Sequence, residues 1–110
     1  MDKPGIITRA YSRRRNRRNC RNHGKPWSRD ELGLLCRLWH IHSVHVGNKG
    51  VIHLFREECI EKGICSTRSD NAILSKIDDC FYLYHGYRSH IPHPLLKIIF
   101  EEVMQEFGNA

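Results

Sequence analysis

The sequence predicts an all-α protein: a core of three helices, a fourth helix near the C-terminal end and a disordered basic arm at the N-terminal end. Three observations point there. Apolar residues recur at helical spacing in four separate stretches. Capping residues stand where those stretches begin and glycines where several of them end. Ahead of them, Ser12–Arg21 holds arginine and asparagine with no aliphatic residue, so it has no face to bury. The expected division is residues 1–25 as flexible arm and residues 26–110 as helical domain.

The first helix is expected over Trp27–Trp39. Ser28 suits the N-cap and Glu31, three residues on, completes a capping box. Asp30 and Glu31 set negative charge at the positive end of the helix dipole. Leu32, Leu35, Cys36 and Trp39 recur at i, i+3, i+4 and i+7, widened by Leu34 and Leu38. Arg29, Arg37 and His40 are expected on the opposite side. Val44–Gly50 contains Gly47, Asn48 and Gly50 and reads as a turn.

Val51–Lys62 reads as the second helix, with Val51, Ile52, Phe55 and Cys59 inward and Gly63 as its left-handed C-terminal residue. The third runs from about Ser69 to Tyr84. Its inner line is Ile73, Ile77, Cys80 and Tyr84, helped by Leu74 and Phe81, and Ser69 or Thr67 caps it. Pro94 opens the fourth, Leu95–Phe107. That helix is too apolar to stand in water, so it packs on the other three or on a second copy of the chain, which makes a homodimer the alternative.

Charge is unevenly placed. Of the 18 Lys and Arg, nine fall in residues 1–25 against Asp2 alone, net +8; the remaining 85 residues have nine against eleven acids, net −2. A basic arm joined to a mildly acidic body meets polyanions. Six arginines lie in the nine residues from Arg13 to Arg21 (Arg13, Arg14, Arg15, Arg17, Arg18, Arg21), followed by Lys25. Guanidinium forks chelate phosphate, so nucleic-acid contact is favoured over a solubilising tail or an import signal. Charge alone does not separate DNA from RNA, and arms of this kind are similar to those of some RNA-binding viral and phage proteins.

The five cysteines are odd in number, form no C-x-x-C and lie partly within expected helices, which reads as reduced thiols in an intracellular compartment. No apolar run approaches a membrane span and none follows the early charges as a secretory signal does. Cys20-x2-His23-x12-Cys36-x3-His40 has the interval of a two-Cys, two-His zinc site, but in the order Cys-His-Cys-His, and Cys36 already belongs to the apolar stripe. His40, His42 and His45 form another histidine group that reads as exposed loop residues. Neither is taken as a metal site and no cofactor is expected. With no phosphate-cradling glycine loop, and with Asp78 and Asp79 diverging on a helix, the chain is not expected to be an enzyme.

Trp27-Ser28-x-x-Glu31-Leu32-x-x-Leu35 resembles the start of a Myb/SANT-like domain, and Arg68-Ser69-x-x-Ala72-Ile73-x-x-Lys76-Ile77 resembles that family's third helix. The resemblance spans residues 27–84. It implies a helix-turn-helix core whose third helix enters the major groove. Carried over by position, Arg68, Asn71, Ser75 and Lys76 become the groove residues, with Asn suited to adenine edges and Arg or Lys to guanine. Asp70, Asp78 and Asp79 crowd that helix with charge that repels phosphate. The expected function is therefore a small DNA-binding regulatory or accessory protein. The alternatives are a protein-interaction module, binding or inhibiting a nucleic-acid enzyme through the third or fourth helix, and RNA binding by the arm.

Overall fold

The computed structural model describes residues 21–22, 24–86 and 92–108. All regular structure among them is helical: α1 spans Arg29–Lys62, α2 Asp70–His85 and α3 Pro94–Gly108. The arm before Arg21 lies outside the described residues.

The start of α1 follows from its first four residues. Ser28 is extended (φ −79°, ψ 161°) and its Oγ accepts the Glu31 N–H at 3.1 Å, while Glu31 Oε1 accepts the Ser28 N–H at 3.0 Å. The capping box is thus closed in both directions. At the other end Gly63 turns left-handed (φ 68°, ψ 25°) and the Ile64 N–H reaches Cys59 O at 2.9 Å. With Gly63 N–H on Ile60 O, this is a Schellman ending.

Three helices stand where four were expected. The first two run together as α1, and the turn foreseen over Val44–Gly50 shrinks to one residue, Gly47 (φ 70°, ψ −177°). Glycine is the residue that occupies that backbone region. A single flexible position bends the rod, and with no proline nearby the helical bonding resumes at once on both sides.

The core is shared by all three helices. Leu32, Leu35, Cys36, Trp39, Val51, Phe55 and Cys59 of α1 meet Ile73, Ile77 and Cys80 of α2 and Leu96, Ile99, Phe100 and Val103 of α3, all buried. Each such Leu, Ile, Val or Phe contributes about 1.5–3 kcal/mol through removal from water. α1 is the common support: α2 and α3 each pack along it and touch one another only lightly. The apolar face of α3 is covered by this chain's own α1. Pro94 takes the first turn as expected, and His93 caps it, its Nδ1 accepting the Leu95 N–H at 3.1 Å.

The inner line of α2 ends earlier than its spacing suggests. Tyr84 is 56% exposed and Phe81 43%. The buried part of the first half of α1 stops at Trp39, so nothing remains to cover a further turn of α2; Tyr84 only leans on the Trp39 ring edge, centroids 5.6 Å apart. His40, expected to face away, lies between Tyr84 and Phe107, 4.6 Å from the latter's ring.

Candidate nucleic-acid interface

Just before α2, Arg68 is only 4% exposed. Its Nε and Nη2 donate to the two carboxylate oxygens of Glu31, each at 2.9 Å, a bidentate pair with Glu31 1% exposed. Nη2 also donates to Pro26 O at 3.0 Å, and Nη1 to the carbonyls of Asn22 and Lys25. The guanidinium carbon stands 4.9 Å from the centre of the Trp27 ring, which in turn lies 5.8 Å from Phe55. Burial alone pushes the Glu31 carboxyl up and is the largest single effect on it. The Arg68 hydrogen bonds, the Ser28 N–H, the Ser66 hydroxyl and the guanidinium charge outweigh it together, and the carboxyl ends below its ordinary range.

Arg68 was expected to reach a DNA groove; its place is inside the protein instead. The residue types of the resemblance are present, but a guanidinium that has to satisfy Glu31 and three carbonyls has its donors turned inward. The signal in the sequence was Glu31 itself. It stands one turn before Leu35 of the apolar stripe, and a carboxylate buried there requires a cation.

Arg68 thereby joins the end of the arm to the beginning of α2. Asn22 reinforces that junction. Its backbone N–H donates to Thr67 Oγ1 at 3.0 Å and its Nδ2 to Cys65 O at 2.8 Å. Its Oδ1 accepts the Thr67 N–H at 2.7 Å and the Thr67 hydroxyl at 2.9 Å. Nothing in a short Asn22–Pro26 linker announced this lock, because its partners lie more than forty positions away.

The remaining expected contacts divide. Arg13, Arg14, Arg15, Arg17 and Arg18 lie outside the described residues. Arg21 and Lys25 are exposed at the foot of the arm. Asn71 and Ser75 are exposed one turn apart on α2. Lys76 is half-buried, its Nζ 3.9 Å from Asp79. The acidic character of α2 is also weaker than its sequence suggests, since Arg56 of α1 pairs with Asp70 and Lys76 faces Asp79.

The zinc spacing does not come together as a described site. Cys36 is fully buried with its Sγ 3.7 Å from Cys80 Sγ across the α1–α2 contact, and Cys20 and His23 lie outside the described residues. Among the described residues no three His, Cys, Asp or Glu side chains gather as metal ligands. Cys36, Cys59 and Cys80 are free thiols, whereas Cys65 is disulfide-bonded, so the expectation of five reduced cysteines is corrected at that position. Between α1 and α3 lies a cleft of about 510 Å³ bordered by Arg29, Arg37, Ile99 and Glu102. Its arginines are paired, Arg29 with Glu102 and Arg37 with Glu106, each at 2.8 Å. No helix among the described residues is long and apolar enough to cross a membrane.

Compared with known proteins, the chain matches no family model, no curated protein and no solved structure.

Proposed function

We propose that the chain is a small nucleic-acid-binding protein of regulatory or accessory type, with DNA favoured, acting inside the cell. Arg13, Arg14, Arg15, Arg17, Arg18, Arg21 and Lys25 neutralise phosphates, and a Myb/SANT-like helix-turn-helix body offers Asn71, Ser75 and Lys76 of α2 to a groove. The observation that carries this is the junction at Arg68. The foot of a strongly basic arm is bonded to the N-terminal end of the helix that presents Asn71 and Ser75 to solvent. A phosphate-binding arm beside an exposed polar helix face is the arrangement by which three-helix binders hold both the backbone and the bases of a duplex.

Titration of a labelled mixed-sequence duplex with the full chain at rising salt tests it. Tight binding at low salt that weakens steeply with salt is expected; absence of binding at low salt overturns the proposal. Competition between hairpin RNA and the duplex separates RNA from DNA.

A second reading, a protein-interaction module, draws on a different surface. Phe81, Tyr82 and Tyr84 lie exposed on the last turns of α2, and Ile98 on α3. Capture of a protein partner that survives nuclease treatment and the loss of the arm's charge favours it.

A further inference from the structure

Arg29, Gly33 and Arg37 follow one another at i, i+4 and i+8 on α1, so they stand on one face, a turn apart. That face borders the cleft of about 510 Å³ against α3. Both arginines are exposed at its rim and reach across to α3, and the reach leaves donors over. Arg37 Nε and Nη2 donate to the two Glu106 oxygens at 3.1 and 2.8 Å, and Arg29 Nη1 donates to Glu102 at 2.8 Å. Among the described residues, Arg37 Nη1 and Arg29 Nη2 have no hydrogen-bond partner. The floor between them is apolar, with Leu34, Ile99 and Val103 all buried.

Gly33 is the informative residue. Inside a helix glycine is less favourable than alanine, and the packing here does not demand it. An added Cβ would meet Ile99 Cγ2 at 3.9 Å, an ordinary contact, and only Arg37 Nη1 closely, at 3.2 Å. What glycine provides is room for the Arg37 guanidinium to lie against the helix, with Nη1 over the cleft floor.

We infer that this cleft is a binding site for a small amphiphilic carboxylate: its apolar body rests on Leu34 and Ile99 over Gly33, and its carboxylate accepts from Arg37 Nη1. A concave site with an apolar floor and a few polar groups at its edge is the usual form of a small-molecule site, and the volume is in the usual range. Arg29 and Lys62 add positive charge to the lining, against Asp30 and Glu102. Three cations facing two carboxylates suit a singly charged head. The bridges to Glu102 and Glu106 are exposed, so they hold the arginines only weakly against a ligand. The site is separate from the nucleic-acid surface proposed above and does not depend on it.

The test is a nuclear magnetic resonance titration of the full chain, labelled with ¹⁵N, using octanoate and, as its uncharged counterpart, octanol. Octanoate is expected to give saturable amide shifts centred on Gly33, Leu34, Ile99 and Val103, and octanol to bind at least about tenfold more weakly. Arg37→Gln, which breaks only an exposed pair, is expected to weaken octanoate binding about tenfold with little change in melting temperature. Gly33→Ala crowds Nη1 out of the cleft. It is expected to weaken binding while the melting temperature holds or rises, because alanine is the better helix former; a merely structural Gly33 does not separate the two readings in this way. Absence of saturable shifts, shifts confined to Arg21 and Lys25, or octanol binding as well as octanoate overturns the inference. So does octanoate binding that neither Arg37→Gln nor Gly33→Ala weakens.

Discussion

Arg68 and Glu31 meet as a buried bidentate pair, both N–H···O distances 2.9 Å, thirty-seven residues apart in the chain. Glu31 serves two ends at once, because Oε1 also accepts the Ser28 N–H that closes the cap of α1. Removing its charge strands a guanidinium among carbonyls with nothing to balance it. Glu31→Gln is therefore expected to lower stability by about 3–5 kcal/mol, the usual cost of breaking a buried pair from one side. Urea unfolding of the variant against the parent measures it, and a loss under about 1 kcal/mol contradicts this account.

The same pair sets a pH dependence. Arg68, Ser28 and Ser66 together hold the Glu31 carboxyl below its ordinary value of 4.5 against the opposing effect of burial. A carboxyl depressed by folding contributes stability that is complete above its unfolded pKa and disappears as pH falls through its folded pKa. Melting temperature is expected to hold on the neutral side of 4.5 and to fall below it. In Glu31→Gln this acid limb is shallower. Melting curves across the acid range in both proteins read the difference.

Gly47 and Gly50 act together in the bend of α1. Gly47 holds a backbone conformation (φ 70°, ψ −177°) that side chains disfavour, so Gly47→Ala is expected to cost about 1–3 kcal/mol. At Gly50 the obstacle is steric: an added Cβ collides with the Val46 side chain one turn earlier. Gly50→Ala is expected to destabilise as well, and Gly50→Ala combined with Val46→Ala to regain part of the loss. Thermal unfolding followed by far-ultraviolet circular dichroism compares the four proteins.

Buried thiols give a direct reading of the core. Burial, reinforced by the nearby Glu31 charge, pushes the Cys59 thiol up to about 12. The hydrogen bond to Cys36, with burial, drives Cys80 up as well. Thiolate is the reactive form, and a thiol at 12 presents only about 10⁻⁵ of it at neutral pH. Cys36, Cys59 and Cys80 are expected to resist a thiol-specific reagent in the native protein and to react together on unfolding. Fast labelling of any of the three under native conditions contradicts the shared core.

Much of this was legible in the chain because it is local. The Ser28–Glu31 box, the Gly63 ending, Ser69 as cap and the stripe from Leu32 to Trp39 depend on neighbours within one or two turns. What the sequence misled about is non-local. Whether Gly47 begins a loop or merely bends a rod depends on what its flanks pack against. Whether Tyr84 is covered depends on where the buried part of α1 stops. Arg68 matched a groove-reading position by motif, yet its partners Glu31, Asn22 and Pro26 are brought to it only by the fold. The charge asymmetry between arm and body needed no fold at all to be seen.

The arm is tested through its salt dependence. Each arginine that neutralises a phosphate on duplex DNA releases a condensed counterion and adds about 0.9 to the slope of log K against log salt. Replacing Arg13, Arg14, Arg15, Arg17 and Arg18 by alanine is expected to flatten that slope by roughly four. Asn71→Ala, by contrast, removes a hydrogen-bonding group and no charge, so it is expected to lower affinity for a preferred sequence while leaving the slope as it was. Fluorescence anisotropy at several salt concentrations with the three proteins separates the two contributions. A slope unmoved by the five replacements takes the arm out of the mechanism, and the protein-interaction reading of the α2 end then stands in its place.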